Sequence, residues 1–210
     1  MIQASAKQTR DFAAAGPELN FSPEPGLYKK VRFSSTKRAV AYMRSRIAAV
    51  SGGQSAAVQP LFAALVAEWR AGGTKVAGVL SEPDGASDRT CTAGFLREIN
   101  SGEAYQIHLE TRPVGASCDI DAAGVETAGR GVLYDLATSD LVVLSKFGKL
   151  ETMGRGLARA FEAAIAAHKP LLTTVSEKHL EAWRSVAPDS ILLSADEVAI
   201  RRWWEDARSN

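Results

Sequence analysis

The chain has 210 residues, of which 46% are apolar and 23% are charged, and its net charge at pH 7 is +1. These values are typical of a globular protein with one well-packed domain and a short additional segment. No stretch approaches the roughly 20 apolar residues of a membrane span. Two cysteines, Cys91 and Cys118, are too few for a disulfide framework. The composition therefore argues against a membrane-spanning protein and a disulfide-rich secreted domain, and we expect a cytoplasmic location.

The charge is unevenly distributed along the chain. Residues 1–46 contain nine Lys or Arg against three Asp or Glu, a net charge of +6, whereas the remaining 164 residues carry −5. Such a basic segment is either a solvated tail or a surface for nucleic acid or membrane. Its aromatic residues are widely spaced, which disfavours nucleic-acid binding. Because prolines and small residues punctuate the first 26 positions, we predict a basic, partly irregular arm over 1–45 and a folded domain over 46–210.

Beyond residue 45, strand and helix patterns alternate. Strands are predicted over 46–51, 75–80, 140–145, 170–175 and 191–193. Helices are predicted over 56–71, 121–137, 153–168, 176–186 and 196–207, the last with one buried and one half-exposed tryptophan at Trp203 and Trp204. Period-two alternation over 95–100 and 105–111, around Asn100-Ser101-Gly102, predicts a β-hairpin. The alternation predicts a three-layer α/β domain, with a mostly parallel sheet covered on both faces and the hairpin inserted at its edge.

The first candidate site is the turn between the first strand and the first helix, Ser51-Gly52-Gly53-Gln54-Ser55. Flexible glycines and the free N–H groups at a helix start suit a bound phosphate. A phosphate loop requires Gly, four residues and then Gly-Lys-Ser/Thr. Counted from Gly52, those last three positions hold Ala57, Val58 and Gln59; counted from Gly53, they hold Val58, Gln59 and Pro60. Neither register supplies the lysine or the hydroxyl. The turn is therefore either a degenerate phosphate loop or an ordinary strand-to-helix connection.

The second candidate site is the junction between the strand 140–145 and the helix that follows it. One acid, Glu151, accompanies four cations there: Lys146, Lys149, Arg155 and Arg159. Cations at a helix start oppose the helix dipole, which favours an anionic ligand over simple solvated charges. Glycines at 148, 154 and 156 permit close approach of a ligand to the backbone. The predicted ligand-binding residues are Ser51, Gly52, Gly53, Gln54, Ser55, Lys146, Gly148, Lys149, Arg155 and Gly156. Histidines and cysteines show no metal-ligand spacing, so no metal site is predicted.

The segment Ser145-Lys146-Phe147-Gly148-Lys149-Leu150-Glu151, followed by Gly154-Arg155-Gly156, resembles a motif of a bacterial family of unknown function. In that family Asn-Lys-Phe-Gly-Lys and Glu precede Gly-Arg-Gly, and the likeness extends over about residues 46–207. The family is in turn similar to small P-loop nucleoside-triphosphatases, which implies a P-loop type of α/β fold. Ser145 stands where those enzymes have a magnesium-binding Asp, and Lys146 where they have a catalytic Glu. The resemblance also implies a link to molybdenum or cofactor metabolism.

The main hypothesis is a nucleotide- or oxyanion-binding protein of P-loop NTPase-like fold with a degenerate phosphate loop. Its ligand would be a phosphorylated small molecule or an oxyanion, with no membrane partner; the cofactor stays open, the candidate being a nucleotide with Mg. Two alternatives remain open. One is an active nucleoside-triphosphate hydrolase with displaced catalytic groups, in which Glu151 is the base or a metal ligand. The other is a non-catalytic interaction protein that docks through its basic arm.

Overall fold

The computed structural model describes residues 45–52, 55–83, 93–109 and 120–209. The strands are β1 Ile47–Val50, β2 Val76–Pro83, β3 Ala93–Glu98, β4 Ala104–Gln106, β5 Leu141–Phe147, β6 Leu171–Val175 and β7 Ile191–Leu193. The helices are α1 Ser55–Ala71, α2 Ala122–Asp135, α3 Lys149–Thr152, α4 Ala158–Ala166, α5 Leu180–Val186 and α6 Glu197–Arg208. Short 3-10 turns follow α2 (Leu136–Thr138) and precede α5 (Glu177–His179). Within these ranges no helix is long and apolar enough to cross a bilayer.

The predicted arm over 1–45 lies outside the described residues except for Ser45. Two positions of the first candidate site, Gly53 and Gln54, also lie outside them, and so do Cys91 and Cys118.

The seven strands form one sheet in the order β4-β3-β2-β5-β6-β1-β7. Five neighbouring strands, β2-β5-β6-β1-β7, pair in parallel, whereas β3 pairs antiparallel with β2 and with β4. The central strands are buried almost along their whole length, because helices cover both faces of a parallel sheet. The prediction of an α/β protein with a mostly parallel sheet is confirmed.

The sheet separates two apolar layers, and successive residues of a strand alternate between them. Ala49, Val142 and Leu144 pack with residues of α2, α4 and α5 on one face. Their neighbours in the strands, including Val50 and Val143, pack with α1 and α6 on the other face. The helix after β1 therefore covers one face of the sheet, and the helix after β6 covers the opposite face.

The helix predicted over 153–168 begins later, because α4 spans Ala158–Ala166, and the short helix α3 precedes the predicted range. Gly154 and Gly156 adopt φ values of 69° and 61°, in the left-handed region that a helix interior does not contain. Arg155 consequently lies in the connection between the two helices, and only Arg159 lies in α4. The predicted start of this helix, which would have placed both arginines in it, was wrong.

Both tryptophans near the C-terminus are buried, rather than one of them. Trp204 packs against Trp69 of α1 with ring centroids 5.7 Å apart. The indole Nε1 of Trp203 donates a 2.9 Å hydrogen bond to the Ser45 carbonyl oxygen. The two adjacent rings are therefore covered from different sides, Trp204 by α1 and Trp203 by the segment at Ser45 that leads into β1.

Replacing Gly78 tests the tight packing of the central strands. Its φ is 143°, and a Cβ atom there would lie 1.9 Å from the Val143 carbonyl oxygen of β5. We expect Gly78→Ala to lower the free energy of unfolding by about 4 kcal/mol or more, measured by urea denaturation. Gly102→Ala is the control, because its φ is also positive but open space surrounds it; it should lose only about 1–2 kcal/mol. Equal losses in the two variants would contradict the packing argument.

Candidate functional site

The central strand β5 carries an irregularity at its carboxyl end. Leu144 pairs with Thr173 of β6 and Phe147 pairs with Val175, so two residues of β5 face one residue of β6. A β-bulge of this kind bends a strand and redirects its side chains, and bulges are frequent next to functional sites. Here Ser145 and Phe147 are buried, whereas Lys146 is exposed. The bulge thus directs the ammonium of Lys146 away from the core at the carboxyl edge of the sheet.

The Ser145 carbonyl oxygen, which lies in this bulge, accepts two side-chain hydrogen bonds. Gln59 of α1 donates through Nε2 at 2.9 Å, and Thr174 of β6 donates through Oγ1 at 2.8 Å. The Oε1 atom of Gln59 accepts a 3.1 Å hydrogen bond from the backbone N–H of Ser81 in β2. Because the parallel pairing of β2 and β5 ends at Val79 and Leu144, the Gln59 amide continues the hydrogen bonding where the two strands separate. These contacts bring the first turns of α1 to the end of β5.

Counted from Gly52, the positions of α1 that correspond to the lysine and the hydroxyl of a phosphate loop are Val58 and Gln59, and both side chains have structural roles. Val58 is buried among the apolar residues between the sheet and α1. Gln59 is buried, and its amide is used by the two backbone contacts just described. Neither residue provides the lysine or the hydroxyl of a phosphate loop.

The carboxylate of Glu151 holds together the segment between β5 and α4. Its Oε2 accepts a 2.9 Å hydrogen bond from the Gly148 N–H at the start of α3, and its Oε1 accepts a 3.0 Å bond from the Leu157 N–H at the start of α4. A Cβ atom at Gly156 would lie 2.6 Å from Glu151 Oε1, so only glycine fits beside the carboxylate. Both carboxylate oxygens are thus used within the segment.

Burial raises the pKa of Glu151, an effect that outweighs the backbone hydrogen bonds and the nearby charge of Lys146, which lower this pKa. A carboxyl group whose pKa is raised by desolvation is a candidate proton carrier in many sites. In this segment, however, the group is oriented toward two backbone donors, and it therefore acts first as a structural acceptor.

The four predicted cations have different surroundings. Lys146 lies close enough to Glu151 to affect its pKa. Arg155 Nε forms a 3.2 Å ion pair with Glu126 of α2, in which both side chains are largely exposed. Lys149 and Arg159 are exposed at the start of α3 and in the first turn of α4. The structure therefore places Lys146, Lys149 and Arg155 around one segment, with Arg155 partly neutralised.

The first candidate turn leaves β1 at the same edge of the sheet. The Ser51 N–H donates a 3.0 Å hydrogen bond to the Leu193 carbonyl of β7, and Gly52 is exposed with φ of 87°. Since β1 and β6 are parallel neighbours and the helices after them cover opposite faces, the crevice between their carboxyl ends is a topological switch point. Ligands of open α/β sheets bind in such crevices.

Two grooves lie at the opposite, amino-terminal edge of the sheet. They have volumes of about 400 and 610 Å³ and share Gly73, Thr74 and Ser139 in their walls. Arg46 lines the larger groove, and its buried Nε has no hydrogen-bond partner. Lys169, also in this wall, donates to the carbonyls of Ala137 and Ser139 at 3.2 and 2.6 Å.

Among the described residues, no three His, Cys, Asp or Glu side chains are placed to hold a metal ion.

Gln59, Thr174 and Ser145 were not recognised as a connected group from the sequence. A polar glutamine within the apolar face of α1 was the available signal. Its partners, however, lie 22 and 86 residues away, and only the sheet order brings them together.

Comparison with known proteins gives two matches. A family model described as a protein of unknown function, DUF2478, matches residues 47–203. The chain is also 35% identical over 130 residues to a protein of Bradyrhizobium diazoefficiens named molybdenum import ATP-binding protein ModC 2. That alignment covers 54% of this chain but only 14% of the relative, so the chain spans about one seventh of its length. No solved structure matches the chain.

Removal of the Gln59 amide should destabilise the carboxyl edge. Gln59→Leu keeps most of the side-chain volume but leaves the Ser81 N–H buried without its acceptor, so we expect a loss of about 1–3 kcal/mol in the free energy of unfolding. Thr174→Val is the matched variant, because Gln59 still donates to the Ser145 carbonyl; it should lose about 1 kcal/mol. A double-mutant cycle by urea denaturation measures the coupling. Strict additivity of the two losses would show that the shared carbonyl does not connect them.

Glu151→Gln should also destabilise the protein, because its amide NH₂ would face one of the two backbone donors. We expect a loss of about 1–2 kcal/mol at pH 7, against no significant change for Glu162→Gln on the exposed surface of α4. The raised pKa of Glu151 favours the protonated form in the folded state. Its stabilising contribution is therefore fully present below the ordinary glutamate pKa and is lost as the pH rises through the raised value. The stability difference between wild type and Glu151→Gln should consequently be larger at low pH, and a difference that grows with pH would contradict this assignment.

Proposed function

The chain belongs to the DUF2478 family of proteins of unknown function, and from that starting point we propose that it binds a phosphorylated ligand or an oxyanion without hydrolysing it. The ligand would lie at the carboxyl edge of the sheet, between the β1–α1 turn at Ser51–Ser55 and the segment from Lys146 to Gly156. The observation that carries this proposal is the contact between Gln59 and Ser145, which joins the two parts at one edge.

The charges of the second segment support an anionic ligand. Lys146 is directed outward by the bulge, and Lys149 and Arg155 follow it within one short segment. The Glu151 carboxylate accepts hydrogen bonds from the Gly148 and Leu157 N–H groups, and it lies near Lys146, whose charge lowers its pKa. Positively charged clefts at the carboxyl ends of strands attract anions.

Binding without hydrolysis is favoured by the groups that occupy the usual catalytic places. Phosphoryl transfer in P-loop enzymes depends on a lysine and a magnesium-binding hydroxyl in the loop. At the corresponding positions this chain has a buried Val58 and a Gln59 that is bonded to Ser145 and Ser81. Glu151, the candidate base of an active enzyme, already accepts two backbone N–H groups. This set of side chains fits a degenerate phosphate loop better than a hydrolase.

The similarity to a molybdenum import ATP-binding protein suggests two ligands in particular, a nucleotide and the molybdate oxyanion. Both present tetrahedral oxyanion groups, so the same cations suit either one. An accessory role in molybdenum or cofactor metabolism follows from this similarity as part of the proposal.

Calorimetric titration with ATP, GTP and molybdate tests the proposal directly. Lys146→Met should weaken binding of whichever ligand is recognised by about 10- to 100-fold, because a hydrogen bond to a charged group contributes roughly 1.5–3 kcal/mol. Lys75→Met is the control, since it removes the same charge just before β2, at the opposite edge of the sheet; its affinity should be unchanged.

Heat from none of the three ligands at high protein concentration would overturn the proposal, and so would equal affinities of wild type and Lys146→Met. A turnover assay with magnesium and mixed nucleotides distinguishes binding without hydrolysis from the alternative of an active enzyme. Turnover that disappears in Glu151→Gln, while ligand binding persists, would favour that alternative.

A further inference from the structure

The turn after β6 lies between the two halves of the proposed site. Val50 of β1 pairs with Thr174, and Phe147 of β5 pairs with Val175. Ser176 is the next residue beyond β6, so it lies between the end of β1 and the bulge that carries Lys146. This turn continues through the 3-10 turn Glu177–His179.

The hydroxyl of Ser176 is buried and has no hydrogen-bond partner among the described residues. A serine in front of a helical turn usually accepts a hydrogen bond from an N–H of that turn. Here the His179 N–H donates instead to the Ser176 carbonyl oxygen at 2.9 Å, and the side chain forms no cap. Buried polar atoms without partners are rare in proteins, because each costs about 1–3 kcal/mol. The hydroxyl is therefore available to a group that the described part of the chain does not supply.

Positive charge converges on the same turn. His179 is half-buried, and its pKa is lowered by burial first and then by the charges of Lys178 and Lys146. Lys146 reaches this histidine from β5, whereas Lys178 belongs to the turn itself. Of the nearby acids, Glu151 is bonded to Gly148 and Leu157, and Glu177 is exposed on the turn. The two lysines and burial disfavour the protonated imidazole, and a neutral ring can still donate one N–H to an anion that the lysines attract.

We infer that Lys146, Ser176 and His179 bind one tetrahedral oxyanion of charge −2 at the crevice between β5, β6 and β1, with Lys178 adding to its positive potential. This inference rests on the proposed function and deepens it, because it names the anionic group and adds a third strand end to the site. The Ser176 hydroxyl and a ring N–H of His179 donate hydrogen bonds to the oxyanion, and Lys146 supplies charge. The same chemistry suits free phosphate, molybdate and the phosphate of a nucleotide.

Ser176→Ala tests this assignment in the full-length chain by titration with inorganic phosphate, molybdate and ATP. We expect the variant to bind the preferred probe about tenfold more weakly, while its melting temperature without ligand stays unchanged or rises, because the lost hydroxyl had no partner. Ser185→Ala is the matched control, since the Ser185 hydroxyl donates to the Glu181 carbonyl within α5; it should bind like wild type. The probe that binds most tightly shows whether the oxyanion is free phosphate, molybdate or the phosphate of a nucleotide.

The outcomes separate this inference from the proposed function. Wild-type affinity in Ser176→Ala, together with weak binding in Lys146→Met and Lys149→Met, would overturn the role of the β6 turn and leave the proposed function standing. Absence of binding by the wild-type protein to any probe would overturn both.

A second measurement follows the histidine directly. The chain contains three histidines, so the imidazole NMR signals of His179 are assigned with His179→Gln. Saturation with the preferred probe should shift the His179 signals and leave those of His168, which is exposed at the end of α4, in place. Unshifted His179 signals at saturation would overturn the inference even if Ser176→Ala failed to fold.

Discussion

The carboxyl edge of the sheet depends on the hydrogen bonds to the Ser145 carbonyl oxygen. This oxygen lies in a bulge, where β5 no longer pairs regularly with β6, and beyond the last pair between β5 and β2. Without other donors it would be a buried acceptor at the point where three strands separate, which is costly. Gln59 and Thr174 supply the donors from α1 and β6. The separation of the strands at this edge is thus stabilised by the side chains of Gln59 and Thr174.

The segment after β5 shows how a rigid arrangement can present several cations. Its glycines allow the chain to turn twice within a few residues, and such a chain would be flexible without an internal tie. The Glu151 carboxylate provides that tie by bonding to both ends of the segment, and it is removed from solvent in doing so. The same carboxylate lies near Lys146, whose charge lowers its pKa. Its hydrogen bonds, however, go to the backbone of the segment, so its main contribution is to fix the positions from which the cations extend.

The fold was predictable from the sequence because the strands of a parallel sheet are continuous apolar runs, and the helices between them are periodic. The break at residues 153–157 was not foreseen, since Gly154-Arg155-Gly156 was interpreted as part of a helix with glycines tolerated in it. The two left-handed glycines are accompanied by a hydrogen bond from the Leu157 N–H to the Glu151 carboxylate, which helical periodicity does not reveal. In the candidate site, the position of Lys146 at a strand end was predictable. The contributions of Gln59, Thr174 and Ser176 were not, because they depend on which strands are neighbours.

The two edges of the sheet both carry cations, and the difference between their surroundings argues for function at the carboxyl edge. At the amino-terminal edge, Arg70 and Arg208 lie in the last turns of α1 and α6, where positive charge is favourable to the helix dipole. Lys169 donates to two carbonyls there, so its charge is already satisfied. Five cations line the two grooves at that edge, and helix ends or carbonyl acceptors account for three of them, Arg70, Arg208 and Lys169. The Nε of Arg46 lacks a hydrogen-bond partner among the described residues. At the carboxyl edge, by contrast, Lys146 and Lys178 lie beside a half-buried histidine and an unbonded hydroxyl. No helix C-terminus compensates them in the described part of this edge, and this difference is the reason that we propose an oxyanion site here rather than at the amino-terminal edge.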